Sequence, residues 1–373
     1  MRVIFTCGGT AGHVNPALAL AGYWQERLPD TELLFVGAKR GLEQELIAKA
    51  GYPFEAVNVS SFHRSLQPRE LRHNLISVKN LLCCPAEARR ILREFRPDLV
   101  VGTGGYACYP MVKYAAKAGI PTALHESNAV PGLTTKLLEP YARRIMVGFE
   151  DCRKEYRYPD RVVVTGTPVR GEFFARTKAQ AREKLGLTDD RPLIVSFWGS
   201  LGARVMNEYM EEFFRLEAVH EPFHHIHAAG KNGFAAMQSH LRDLAWAEHP
   251  RLQLREYIHD MPTVMRAADL VLCRAGASTL SELTALGVPA ILVPFPQATH
   301  NHQEKNARIL EAHGGACVLL QEECSGKKLL ERAALLLRDA QRQREMSQAM
   351  LTLGIADATD RIFDTVMALT RNG

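Results

Sequence analysis

Short apolar runs alternate with longer amphipathic ones along the whole chain. In the first half VIFT, ELLFVG, DLVVG and PTALHE are separated by stretches of helical spacing such as ALALAGYWQERL. Runs this short and this apolar, each followed by a helix-like segment, predict strands covered on both faces, which means a parallel sheet between layers of helices. The second half repeats the grammar with LIVSFWG, FHHIHAAG, LQLREYI, DLVLCRAG and PAILVPF. Two passages share one plan: PDLVVGTGGYACYP followed by AGIPTALHE, and ADLVLCRAGASTL followed by LGVPAILVPF. Each reads as Asp, apolar strand, glycine loop, helix, Gly-x-Pro and a further strand. The expectation is two similar doubly wound α/β domains, a division that a length of 373 residues also suits. Their join falls near TGTPVRGEFF, residues 165 to 174, where a Gly and a Pro interrupt the pattern. By its pattern alone, the helix-like ATDRIFDTVMALT could pack on either domain.

Composition adds little until its distribution is considered. Hydrophobic residues at 46% and charged residues at 23% are ordinary for a globular protein and exclude a disordered one. The net charge is +5, and residues 61 to 96 carry eight Arg or Lys against three Glu, an excess equal to that of the whole chain. That segment is a candidate contact with an anionic partner. It lacks interleaved aromatics, so no nucleic acid is expected. The eight cysteines form no CxxC pair and no Cys/His grouping of zinc spacing, and no metal is expected. There is no charged leader with a cleavage site and no apolar run of membrane-spanning length, so the expectation is a reduced, cytosolic protein.

GGTAGHVNP, residues 8 to 16, follows the first strand directly. Glycines between a strand and a helix let backbone N–H groups approach a phosphate. The dinucleotide fingerprint is absent, because the spacing is not GxGxxG and ELLFVGAKRG ends without an acidic residue for a ribose; GxxxxGK[ST] is absent too. A turn that only packs helix on strand is the plainer reading of one such loop. Three more loops, GTGGY (102–106), GSLGA (199–203) and RAGAS (274–278), also follow apolar strands. All four are expected at the carboxyl edges of the two sheets, lining a cleft between the domains. That suits a transferase with two substrates.

GGTAGHVNPALAL, GTGGY, HESN (125–128), GTPVR (166–170), GSLGAR (199–204), CRAGASTLSE (273–282) and HNHQEKNA (300–307), in that order, resemble the MurG family of N-acetylglucosaminyltransferases, which convert lipid I to lipid II in peptidoglycan synthesis. The resemblance implies a GT-B fold, two Rossmann-like parallel-sheet domains facing each other across a cleft. It implies UDP-N-acetylglucosamine as donor, an undecaprenyl-pyrophosphoryl muramyl peptide (lipid I) as acceptor through its C4 hydroxyl, inversion at the anomeric carbon and no cofactor. It further implies a peripheral protein at the cytoplasmic face of the bacterial plasma membrane, with residues 61–96 meeting anionic lipid. Residues 1–165, completed by a C-terminal helix over 353–373, would form the acceptor and membrane domain, and 166–352 the donor domain. Ala11, Thr167, Trp198, Leu201 and His300 depart from the commonest family pattern. A UDP-sugar 2-epimerase and a transferase acting on diacylglycerol are the alternatives.

Inverting transfer needs a base for the acceptor hydroxyl. His13 is a candidate because it lies at the exit of the first loop and imidazole titrates near neutrality. Its plainer role is to cap the loop or bind acceptor phosphate. Glu126 in HESN is the rival base, or a structural carboxylate turned toward a backbone amide. The leaving diphosphate needs a charge partner, and no Asp-x-Asp occurs to hold a metal. Loop amides, helix N-termini and hydroxyls remain. Ser200 and Arg170 match donor-site positions of the family, although Arg170 could be a surface ion pair. Glu282 lies six residues after Gly276, and one carboxylate can accept both hydroxyls of a ribose diol. By resemblance Ala277, Ser278, Thr279, Leu280 and Ser281 run along the nucleotide, the backbone of Ile258 meets uracil, and Gln303 meets the donor sugar. Thr10, Ala11, Gly12 and Asn128 would meet that sugar from the other domain.

Overall fold

The computed structural model describes residues 1–39, 41–59, 84–220, 223–243 and 251–371. Most of the basic segment, 60–83, lies outside them. The chain forms two units, Met1–Val169 with Ala356–Gly373, and Arg170–Ile355.

Among the described residues the first unit has seven parallel strands: β1 (Arg2–Thr6), β2 (Glu32–Ala38), β3 (Phe54–Val57), β4 (Leu99–Gly102), β5 (Thr122–Glu126), β6 (Arg144–Val147) and β7 (Val162–Val164), in the order β3-β2-β1-β4-β5-β6-β7. The second has six: β8 (Leu193–Phe197), β9 (His224–Ala228), β10 (Leu252–Arg255), β11 (Leu270–Cys273), β12 (Ala290–Leu292) and β13 (Ala316–Val318), in the order β10-β9-β8-β11-β12-β13. Both orders reverse once, between β1 and β4 and between β8 and β11. The duplicated passages of the sequence are β4 and β11, each beside the first strand of its sheet. Their registers correspond, with Phe5 opposite Val101 and Val195 opposite Val271.

Helices α1 (Ala11–Arg27), α2 (Leu42–Lys49), α3 (84–95), α4 (Cys108–Lys117) and α5 (Leu133–Leu138) cover the first sheet. In the second unit the helices are α6 (Lys178–Lys184), α7 (Arg204–His220), α8 (Phe234–Asp243), α9 (Met261–Ala267), α10 (Ala277–Leu286), α11 (His302–Ala312), α12 (Gly326–Arg338) and α13 (Ala340–Leu353). The last helix, α14 (Ala358–Arg371), belongs to the first unit. Its Ile362, Val366 and Leu369 form one stripe that joins Phe5, Trp24 and Phe35 in the core. Phe363 meets the ring of Trp24 edge-on at 4.6 Å, and Arg27 pairs with Asp360 at 2.8 Å.

The second core centres on Met206, Met210, Phe213 and Phe214 of α7. Beside them Ser196 Oγ lies 2.8 Å from His225 Nε2 and 2.7 Å from His227 Nδ1, and His225 Nδ1 lies 3.2 Å from Glu217. Burial pushes His227 down to about 3, so it is neutral. Ser196 is fully buried, so this Ser–His–Glu arrangement is core structure with no route to a substrate.

Candidate active site

In the first unit the loops after β1 and β4 flank the point where strand order reverses, the usual ligand edge of an open α/β sheet. The two loops meet backbone to backbone: the amide of Gly8 donates to Gly104 O at 3.0 Å. Gly105, at φ +93°, has no room for a side chain, since a Cβ would lie 2.2 Å from Gly8 O. His13 sits in the first turn of α1, half-buried, with Nδ1 2.8 Å from Gly8 O. A carbonyl can only accept, so Nδ1 carries the proton and Nε2 keeps its lone pair. Thr103 Oγ1 donates to the carbonyl of His13 at 2.7 Å, a second tie between the loops. Thr10 and Gly12 are exposed beside the ring.

Gly104, at φ +112°, lies against that ring: a Cβ there would be 2.5 Å from His13 Cδ2 and 2.9 Å from Nε2. Gly104→Ala is therefore expected to displace the imidazole and lower kcat by at least about tenfold, as misplacement of a reacting group does. Gly105→Ala meets backbone, which cannot yield, and is expected to lower Tm more than Gly104→Ala does. Equal Tm values for the two variants would refute this division.

The glycines at 8 and 9 were expected to open the loop to a phosphate. Instead the Gly9 amide donates to Glu43 Oε2 at 3.2 Å, and a Cβ on Gly8 would lie 2.6 Å from Glu43 Oε1. The amides of Ala11 and Gly12 at the start of α1 remain as anion donors, that of His13 being committed to Thr10 O at 3.0 Å.

Glu126 ends β5 almost fully buried. Its Oε1 accepts the amide and side chain of Asn128 at 3.1 and 3.0 Å, and its Oε2 accepts the Gly132 amide at 3.0 Å and Thr135 Oγ1 at 2.7 Å. Four donors fill this carboxylate, and it caps α5, whose N-cap is Gly132. The arrangement matches the structural reading of Glu126 and makes it the residue that orients Asn128.

In the second unit the loops after β8 and β11 occupy the equivalent places. Gly199 and Gly202 have φ of +96° and +78°, and a Cβ on Gly202 would lie 2.1 Å from Ala229 O. The loop thus rests on the segment after β9, with the Lys231 amide donating to Ser200 O at 3.3 Å and Ser200 exposed. The α10 N-cap is Gly276, without a side-chain cap, which leaves the first-turn amides of Ala277, Ser278 and Thr279 open. Leu280 is 1% exposed and Ser281 Oγ donates to Ala277 O at 3.0 Å, so neither side chain is directed to a ligand. Within the expected contact stretch 277–281, the open first-turn amides are those of 277–279.

Glu282 lies one turn beyond Ser278 on the same helix face, half-buried. Burial pushes its carboxyl up to about 7, with the charge of Arg170 pulling the other way. Arg170 also pairs with Glu172 at 3.3 Å and lies over the Phe173 ring, in a segment that packs on α9 and α10. Arg170 is thus a surface ion pair whose charge also reaches Glu282. Gln303 accepts the Phe295 amide at 2.9 Å through Oε1, which leaves its NH₂ to donate outward. Preceding it, His300 and Asn301 are both left-handed at φ +54°, strained backbone at the entry to α11. Asn306 ties α11 to the fourth loop through Ala275 O at 3.2 Å. Ile258 is buried between β10 and α9. Arg274, next to Cys273, is bound to Val293 O, Pro294 O and Gln321, and burial lowers it to about 10. It braces the loop. Among the described residues no three His, Cys, Asp or Glu are grouped to hold a metal ion, and no helix is long and apolar enough to cross a membrane.

The sequence model of the glycosyltransferase family 28 N-terminal domain matches residues 3–147, and that of its C-terminal domain residues 193–362. The UDP-N-acetylglucosamine–N-acetylmuramyl-(pentapeptide) pyrophosphoryl-undecaprenol N-acetylglucosamine transferase of Acetivibrio thermocellus is 41% identical over 372 residues, covering 100% of this chain and 99% of that protein. The protein of the same name from Desulforudis audaxviator is 41% identical over 375 residues and covers 100% of both. Among solved structures, Acinetobacter baumannii MurG superposes with a TM-score of 0.78 at 27% identity, over 98% of this chain and 99% of that one.

Proposed function

The chain belongs to glycosyltransferase family 28, among its UDP-N-acetylglucosamine–N-acetylmuramyl-(pentapeptide) pyrophosphoryl-undecaprenol N-acetylglucosamine transferases, and on that premise we propose how its residues divide the reaction. It transfers N-acetylglucosamine from UDP-N-acetylglucosamine to a muramyl peptide carried on undecaprenyl pyrophosphate, converting lipid I to lipid II. The observation that carries the division is the His13 ring, with Nδ1–H committed to Gly8 O and Nε2 left as a base.

In this reading the first unit serves the acceptor. His13 Nε2 takes the proton of the C4 hydroxyl as that oxygen attacks the anomeric carbon, and UDP departs from the opposite face. Asn128, held by Glu126, meets the donor sugar together with Thr10, Ala11 and Gly12. The second unit serves the donor. Ser200 and the amides of 277–279 face the diphosphate, Glu282 accepts the ribose hydroxyls, the backbone of Ile258 meets uracil, and the Gln303 NH₂ donates to a sugar hydroxyl. Backbone amides at a helix N-terminus suit a doubly charged leaving group.

The test mixes radiolabelled UDP-N-acetylglucosamine with a short-chain lipid I analogue, with and without chelator. Label transfer in both arms is the expected result. Label released as free N-acetylmannosamine without acceptor would identify an epimerase, and UDP binding without transfer would point to another acceptor.

We also place the protein at the cytoplasmic membrane face. The described end of the basic segment supports this through α3, where Arg89 and Arg93 are exposed while Arg90 is paired with Glu55 and Glu94. Reversing Arg89 and Arg93 to Glu is expected to weaken sedimentation with anionic vesicles by at least about tenfold, each cation near such a surface being worth about 1 kcal/mol. Unchanged binding would sink the assignment.

A further inference from the structure

Glu43 is a buried charged group that the reaction as described leaves unused. Its carboxylate, fully buried on α2, accepts the Gly9 amide at 3.2 Å through Oε2 and the Ala38 amide at 2.9 Å through Oε1. Three glycines make room for it, Gly8 in the first loop, Gly37 near the end of β2 and Gly41 just before α2. A Cβ would lie 2.6 Å from Oε1 at Gly8, 2.6 Å from Cγ at Gly37 and 2.1 Å from Oε2 at Gly41. Both oxygens act as acceptors, which fits the ionised form, because a protonated acid would turn one of them into a donor.

The Gly9 N–H and the Gly8 C=O belong to one peptide group. That same carbonyl accepts Nδ1–H of His13 at 2.8 Å. Carboxylate, peptide and imidazole therefore form one hydrogen-bonded chain with its dipoles aligned. A negative charge drawing on the N–H raises electron density on the carbonyl oxygen and strengthens its hold on Nδ1–H.

We propose that Glu43 is a positioning residue that acts on His13 through the Gly8–Gly9 peptide, fixing its tautomer and stabilising the imidazolium formed in transfer. The proposal rests on the reading of His13 as the base. In the step, Nε2 gains the proton of the acceptor hydroxyl, Nδ1 keeps its own and none crosses the peptide. The oxygen's electron pair forms the bond to the anomeric carbon as the bond from that carbon to the UDP oxygen breaks. The role is that of the carboxylate behind the histidine of a hydrolase triad, with a peptide group inserted.

Among the described residues, the ionisable groups coupled to this chain are Cys7 at the end of β1 and, through it, Cys108 on α4. Burial pushes Cys7 well above the ordinary thiol range, helped by Cys108 and Glu43, and pushes Cys108 up to about 12. Both thiols stay neutral through the range in which an imidazole titrates.

The experiment follows the His13 imidazole by NMR titration, its signal identified by loss in His13→Ala, in wild type, Glu43→Gln and Glu43→Asp, alongside kcat–pH profiles. Losing the charge is expected to lower the His13 midpoint by about half a pH unit or more, and Glu43→Asp, with the charge drawn back by one methylene, by less. The acid limb of kcat should move down by the same amount, with kcat above that limb falling severalfold and donor KM unchanged. An unmoved His13 midpoint in a folded Glu43→Gln protein overturns the proposal. Should the Gln variant fail to fold, an unmoved midpoint in Glu43→Asp overturns it instead. A midpoint that shifts while the kcat profile stays fixed upholds the coupling and refutes His13 as the base.

Discussion

Replacing His13 with alanine is expected to lower kcat by about 10² to 10⁴, the usual worth of a positioned general base, with donor KM little changed. The expectation follows from the tautomer. Because Gly8 O holds Nδ1–H, the lone pair at Nε2 is available without prior ionisation, and the ring is fixed between Gly8 and Gly104. Single-turnover measurements with saturating donor isolate the chemical step. A loss smaller than about tenfold would move the base elsewhere. Glu126→Gln serves as the contrast: it leaves donors around the carboxyl unmatched, so the damage is expected in Tm and in the placing of Asn128.

The second large effect is at Glu282. Glu282→Ala is expected to raise donor KM by about 10- to 100-fold, in line with hydrogen bonds to a charged acceptor. Its pH dependence is the sharper test. Burial holds the carboxyl at about 7, so the group is largely protonated below neutrality. Two ribose hydroxyls can both donate only to the ionised form, so donor KM falls as pH rises through 7 and levels above it. Glu282→Gln should abolish that dependence. In the unliganded protein the sign runs the other way. The folded pKa lies above the ordinary value of 4.5, so the folded state binds the proton more tightly, and stability declines as pH rises from 4.5 to about 7. The difference in Tm between wild type and Glu282→Gln, followed across that range without UDP, reads this directly. A donor KM flat with pH in wild type would refute the role.

How much of this was legible in the sequence depends on the distance over which each feature is encoded. The duplicated strand, loop and helix passages are local patterns, and they became β4 and β11 in equivalent places of two sheets. The four glycine loops were visible as loops, but the purpose of their glycines was only partly legible. Gly105 and Gly202 are required by backbone packed on backbone, and Gly8 by a side chain 35 residues away. Glu126 stood between rival base and structural carboxylate because the sequence does not show whether the turn after a strand wraps a carboxylate at its end, as Gly132 and Thr135 do here. Glu43 was missed because GLEQEL reads as an exposed first turn. One signal was present: Ile47 lies one turn on and is buried, which places Glu43 on the inner face of α2. Gly37 and Gly41 lie within six residues of Glu43, but Gly8 meets it only after β1 and β2 have paired.

The return of α14 to the first unit has a consequence for biosynthesis. A chain emerging from the ribosome presents β1 to β7 long before Ile362, Val366 and Phe363 exist to seal the face around Trp24. The whole second unit must be translated in between. The N-terminal sheet therefore spends much of its synthesis with an open apolar face, while the second unit can mature as soon as it emerges. On the ribosome that face can therefore be sealed only after the carboxyl-terminal helix has been made.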